Sequence, residues 1–436
     1  MQRPLDKHLN LNVRGMGPSA TVAINEHSNA LIAEGRRIYK LGLGQSPFPV
    51  PRPVVEALRA NAHQKEYLPV RGLYDLRRAV AHYSERTAGI DRTAEDVLIG
   101  PGSKELMFLL QLVFYGDLVI PTPAWVSYAP QAKILGRQIR LLETRPEDGW
   151  MLTPELLDRE CEDDSGRPRL LVLNYPSNPT GGTFRTEQLK AIGKIARKHR
   201  LLLLSDEIYG ELHHKGQHVS IARYYPEGTI VSSGLSKWCG AGGWRLGTFV
   251  FPESLRWLLD AMAAVASETY TSTSAPIQYA AVPAFEGSEE IERYLAGARR
   301  VLTALGRWCA RKLRGAGIQC PQPAGGFYLF ADFALLAPSL HARGITTSSE
   351  LCRRLLDETG VATLPGSVLS RPDDELTARL AYVDFDGERA LDAVAVIPRE
   401  QPLDEIFLRR HCGRVLEAID AICDWAVAIA GRVRVG

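Results

Sequence analysis

The sequence predicts an α/β protein: a large domain with a mostly parallel seven-stranded sheet between helices, plus a smaller α/β domain. Three observations predict it. The 436 residues exceed what a single hydrophobic core usually serves, so two domains are expected. Between residues 96 and 252, short leucine-rich or β-branched runs alternate with helical periods, the pattern of an open α/β sheet. Beyond residue 288 long helical patterns resume, and the Pro and Gly cluster from Pro321 to Gly326 marks a boundary before a second α/β region.

The candidate strands, in order, are 96–100, 117–121, 138–142, 169–174, 201–205, 229–233 and 246–251. Residues 186–199 carry Leu189, Ile192, Ile195 and Ala196 at helical spacing, which suits a crossover helix and therefore parallel strands. The second region offers strands at 327–330 and 378–383. Residues 384–408, rich in acids and prolines, read as irregular chain, and 409–430 as a final amphipathic helix. No internal repeat or low-complexity tract is present.

Acids and bases nearly cancel, leaving a formal charge of +2 without a concentrated basic tract, so nucleic acid and anionic membranes are not expected partners. The longest apolar runs fall short of the roughly 20 residues that span a bilayer. Residues 1–12 are polar and lack the apolar core of a secretory signal. Seven scattered cysteines with no Cys-x-x-Cys pair and no matched histidine spacing predict reduced thiols, a cytoplasmic setting and no metal site.

In open α/β sheets ligands bind at the carboxyl ends of strands, so the residues after each strand are the candidates for chemistry. After residue 100 come Pro101, Gly102, Ser103 and Lys104, opening a helix from Glu105 onward. A glycine for close approach, a hydroxyl and a helix N-terminus can cradle a phosphate; the same residues also make an ordinary helix cap. The next strand end brings Trp125 and Tyr128, and a flat ring can stack on Trp125, although core packing is the commoner use of a tryptophan. Asn178 stands just before a proline in the dense turn Asn174 to Gly182. Asp206 follows four leucines, and a buried acid needs a partner. A protonated pyridine nitrogen is one such partner, with Tyr209 in reach of a phenolate oxygen on the same ring; a structural acid at a helix start is the alternative.

The most specific segment is Gly234-Leu235-Ser236-Lys237-Trp238-Cys239-Gly240-Ala241-Gly242-Gly243-Trp244-Arg245-Leu246-Gly247. A lysine in an apolar, glycine-rich pocket near another cation is activated as an amine nucleophile toward an aldehyde. Arg245 can clamp a phosphate through two parallel hydrogen bonds. This segment resembles the lysine signature of the class I/II pyridoxal-phosphate-dependent aminotransferases, fold type I, and the chain from about Gly15 onward is similar to the prokaryotic-type aspartate aminotransferases.

The resemblance implies pyridoxal 5'-phosphate held as a Schiff base on Lys237, with Asp206 on the ring nitrogen, Tyr209 and Asn178 on the ring oxygen, and Trp125 stacked on the ring. Gly102, Ser103, Lys104 and Arg245 then fix the phosphate. Tyr67, in Glu66-Tyr67-Leu68-Pro69, matches the tyrosine that reaches the phosphate in the neighbouring subunit, implying a homodimer. Leu41-Gly42-Leu43-Gly44 matches a strand whose last glycine lines the substrate site, together with Trp125, Asn178 and Arg379, the last holding the substrate carboxylate. Residues 1–50 are then a segment packing with the small domain, 51–310 the large domain and 311–436 the small domain. Lys104 sits where some bacterial members meet a distal carboxylate, which points to an acidic donor or 2-oxoglutarate as acceptor; helix capping, phosphate binding and an aromatic substrate are the other readings.

The implied activity is ping-pong transfer of an amino group between an amino acid and a 2-oxo acid. A lyase, racemase or oxidase on the same cofactor, and a non-catalytic binding protein on the same fold, are the alternatives. Three stretches depart from the family pattern: Gln45-Ser46-Pro47-Phe48 replaces the usual Glu-Pro-Asp-Phe, Ala241-Gly242-Gly243 replaces bulkier residues, and 384–408 is longer than usual.

Overall fold

A computed structural model describes residues 8–162 and 166–433, so the first seven of the polar residues 1–12 lie outside it. A two-residue strand, β1 (Tyr39–Lys40), precedes the large sheet. That sheet consists of β2 (Val97–Gly100), β3 (Asp117–Thr122), β4 (Ile139–Glu143), β5 (Arg169–Asn174), β6 (Leu202–Asp206), β7 (Thr229–Gly234) and β8 (Gly247–Val250). Every end lies within one residue of the sequence expectation. The strand order is β2-β8-β7-β6-β5-β3-β4, and only β8 runs antiparallel to its neighbours.

Both faces of the sheet are buried, which explains the near-continuous apolar runs. Along β5, Leu170 and Val172 join one core while Leu171 and Leu173 join the other. The crossover helix Thr186–Lys198 buries Leu189, Ile192 and Ala196 in the second of these. All reactive strand ends therefore open along one edge.

The second region holds β9 (Tyr328–Asp332), β10 (Val361–Ala362), β11 (Leu364–Pro365) and β12 (Thr377–Ala381). An antiparallel sheet runs β11-β12-β9, and β1 pairs in parallel with β10, joining the start of the chain to its end.

Three expectations are corrected. Residues 41–44 are not strand, because β1 stops at Lys40. Their carbonyls serve tertiary partners instead of a ladder: Leu41 accepts from the Ala381 N–H, Gly42 from Arg379 and Gly44 from Lys237. The phosphate-side helix starts at Ser103, two residues before Glu105, with Gly102 as its cap. Residues 384–408 are not irregular throughout: they contain the helix Gly387–Ala395, capped by Asp386 on the Arg389 N–H and burying Ala390 and Val394. The last helix begins earlier, at Glu405, and runs to Val433 across a kink at Cys412.

Candidate active site

Gly102 caps the helix Ser103–Val113 at φ 91°, a left-handed conformation that favours glycine. A Cβ there would lie 2.1 Å from Arg245 Nη2, and one on Gly247 would lie 2.1 Å from the Ser103 nitrogen. Two glycines thus let the first turn of the helix, the guanidinium and β8 crowd into one corner. Arg245 itself stands at φ 55°, unusual for a non-glycine residue, with Nη1 donating to the Gly242 carbonyl at 2.8 Å. Lys104 completes the corner, its Nζ 5.1 Å from the centre of the Trp125 ring. Burial, then the charges of Arg245 and Lys237, pull the Lys104 ammonium below its ordinary pKa. Three cations beside a helix N-terminus have an unmet need for an anion.

Asp206, at the end of β6, is 4% exposed. Its Oδ2 accepts from the Tyr128 hydroxyl at 2.5 Å, while Oδ1 is buried with no hydrogen-bond partner. Burial raises the carboxyl to about 6, overcoming the Tyr128 hydrogen bond, a backbone N–H and the Lys237 charge, which favour ionisation. A positively charged N–H donor fits the open oxygen.

Lys237 Nζ donates to the Gly44 carbonyl at 2.7 Å and lies 5.7 Å from the Tyr209 ring centre and 5.9 Å from that of Phe327. Tyr209 shares a 2.8 Å hydrogen bond with the Tyr328 hydroxyl, and burial holds its phenol well above the ordinary range. Arg379, 1% exposed, donates Nη1 to Asn178 Oδ1 at 3.1 Å and Nη2 to the Gly42 carbonyl at 2.5 Å, leaving Nε unpaired. Asn178 is fixed from behind, its N–H on Asn174 Oδ1 at 2.7 Å.

The structure brings together every candidate but one. Tyr67, between two helices, is 90% exposed and remains apart from these residues within the single chain. Two tyrosines carry contacts that the sequence assigns to neither. Tyr128 meets Trp125 edge to face at 5.2 Å while it holds Asp206. Tyr328 lies under the Arg379 guanidinium at 4.8 Å, and its hydroxyl fills the space a Cβ on Gly44 would need, 1.8 Å away. Tyr128, three residues past Trp125, carried a signal; Tyr328 was legible only as part of a strand. Among the described residues, no cluster of three or more His, Cys, Asp or Glu is arranged for a metal, and no helix is long and apolar enough to cross a membrane.

An anion corner, a buried acid with one open oxygen and a lysine amine between them suit a phosphorylated pyridine aldehyde, so the fold and site define a pyridoxal-phosphate-dependent enzyme of the α/β class. The chain belongs to the aminotransferase class I and II family, whose profile matches residues 36–381. It is 33% identical over 380 residues to aspartate aminotransferase of Geobacillus stearothermophilus, covering 85% of this chain and 93% of that one. Aspartate/prephenate aminotransferase of Thermus thermophilus is 33% identical over 364 residues, 82% of this chain and 91% of that one. A solved structure of aspartate aminotransferase from Thermus thermophilus with maleate matches with a TM-score of 0.81 at 28% identity, covering 96% of this chain and 100% of that chain. The protein is a pyridoxal-phosphate-dependent transaminase acting on amino acid and oxo acid substrates.

Proposed function

We propose that glutamate and 2-oxoglutarate form one substrate pair, and that amino transfer runs in two half-reactions through the residues just described. One observation supports the reading: Arg379 and Lys237 hold the carbonyls of Gly42 and Gly44, two residues apart in the chain. A carboxylate taken by Arg379 leaves the adjacent Cα within reach of the Lys237 amine. Asn178, held to Arg379 at 3.1 Å, and Gly44, held to Lys237 at 2.7 Å, stand beside that space in this reading, with Trp125 on the cofactor side.

When bound, the cofactor supplies the electron sink for Cα chemistry and carries the amino group between half-reactions. Gly102, Ser103, Lys104 and Arg245 would hold its phosphate, Asp206 its ring nitrogen, Tyr209 and Asn178 its ring oxygen, and Trp125 would pack against the ring. Lys237 Nζ takes the proton from substrate Cα as a base and returns one as an acid. Tyr67 completes the site of a second copy, which makes the working unit a homodimer. Its exposure supports this reading. The division at residues 50 and 310 and a cytoplasmic setting belong to the same proposal, the latter supported by seven cysteines without a disulfide.

The test is the visible spectrum of the cofactor-loaded protein as amino acids are added singly without acceptor. Glutamate is expected to bleach the band and 2-oxoglutarate to restore it. A persistent band, or ammonia released without acceptor, moves the assignment to a lyase, racemase, oxidase or binding role. Lys104→Ala is expected to raise KM for dicarboxylates about 10- to 100-fold more than KM for aromatic substrates, the loss of one hydrogen bond to a charged group on top of any weaker hold on the cofactor. Unchanged dicarboxylate kinetics remove the argument for an acidic substrate.

A further inference from the structure

The extra chain at 384–408 packs along the long helix Glu289–Gly315, and Arg300 of that helix ties down four of its carbonyls. Arg300 donates from Nη1 to the carbonyls of Val394 (3.3 Å) and Ile397 (3.0 Å), and from Nη2 to those of Pro398 (2.9 Å) and Gln401 (3.0 Å). A groove of about 620 Å³ lies between this segment, the helix and the turn at 214–216. Its cations divide into two groups. Arg300 is spent on carbonyls, and Arg299 on Glu211 at 2.5 Å. Lys215, Arg307, Arg311 and Arg399 are exposed, and their side chains have no hydrogen-bond or ion-pair partner among the described residues.

The carboxylates of the groove do not balance them. Glu405 is paired with Arg409 at 2.7 Å and also accepts from Trp308 Nε1 at 2.9 Å, while Asp404 accepts only from the Phe407 N–H at 2.8 Å, so Asp404 and Glu400 keep their charge. Five cations without a carboxylate partner, the four above and Arg300, face two carboxylates without a cation, Glu400 and Asp404, a surplus of three in a chain whose entire formal charge is +2. A concave surface lined by one sign of charge concentrates the opposite ion. Arg307 and Arg311 stand one helical turn apart, about 6 Å along the axis, a spacing that two linked phosphate groups can bridge with a guanidinium fork on each. Trp308 is 2% exposed and offers no face to a nucleobase.

We propose that this groove binds a compact polyanion carrying adjacent phosphate groups, at a site separate from the residues that take the cofactor. The extra segment builds its second wall through Arg399. The inner wall includes His214, whose ring nitrogens lie 3.1 and 3.2 Å from the carbonyls of Pro323 and Gly326, on the chain leading into Tyr328 and β9.

The experiment is a calorimetric titration of inorganic pyrophosphate into the cofactor-loaded enzyme at fixed ionic strength, so that the Arg245 corner is already taken. One saturable site per chain is expected, with Kd of about 1 mM or below. Arg307→Ser with Arg311→Ser should weaken it at least about tenfold, and Arg399→Ser alone severalfold, with transaminase kcat unchanged. The substituted side chains are exposed, so a folded protein is expected, and Lys215→Ser provides an independent check from the third wall. Absence of saturable heat, equal affinity in these variants, or the same heat from sodium chloride overturns the proposal.

Discussion

Lys237→Ala is expected to lower kcat for amino transfer by at least about four orders of magnitude, because one group serves as both nucleophile and proton carrier. The fold should survive. Among the described residues the lysine side chain makes one hydrogen bond, to the Gly44 carbonyl, and losing a bond of that kind costs about 1 kcal/mol. Affinity for the cofactor should fall far less than the rate, since the anion corner of Gly102, Ser103, Lys104 and Arg245 and the open oxygen of Asp206 are untouched. Single-turnover kinetics on glutamate give the rate, and the cofactor retained after gel filtration gives the affinity. Transfer within tenfold of the parent would remove Lys237 from the chemistry; loss of all bound cofactor would mean that the corner is too weak to hold it alone.

The parts of this architecture legible in the sequence share a physical cause. Strands β5 and β6 read as leucine runs because both faces of the sheet are covered, and their ends are sharp because polar residues, Asn174 in one and Ser205 and Asp206 in the other, close each run. Lys237 and Arg245 stood out because glycines and apolar residues isolate them along the chain. What escaped depends on approach in space. Tyr128 reaches Asp206 across 78 positions, and Tyr328 reaches Tyr209 across 119. No local pattern encodes either meeting. Gly44 was expected to line the site as the end of a strand, whereas its carbonyl holds the lysine and its missing side chain admits the Tyr328 hydroxyl. The helix Gly387–Ala395 escaped because nine residues carry few helical periods, although Asp386 at its cap and the spacing of Ala390 and Val394 were present.

Asp206→Asn is expected to stabilise the cofactor-free protein at pH 7.5 and to disable the loaded enzyme. In the folded chain burial lifts this carboxyl from 3.8 to about 6. A carboxyl whose folded pKa lies above its unfolded value subtracts stability. The penalty is present in full above about pH 6, fades as the pH falls and is gone below 3.8. Roughly two pKa units correspond to about 3 kcal/mol, which the uncharged amide relieves, for a rise of a few degrees in Tm at this chain length. The gain should shrink on moving from pH 7.5 to 5, since protonation then relieves the parent as well. With the cofactor bound the balance inverts: the carboxylate finds its counter-charge on the ring nitrogen, and an amide oxygen supplies none. Loss of that charge from the electron sink is expected to lower kcat about 10³-fold, comparable to removing one preorganised electrostatic partner. Equal melting temperatures at pH 7.5 would show that Asp206 is not strained in the empty site. Activity within tenfold of the parent would show that the ring nitrogen does not depend on it. The two measurements are independent, so together they decide whether the open oxygen of Asp206 is a cost the fold carries for the sake of the cofactor.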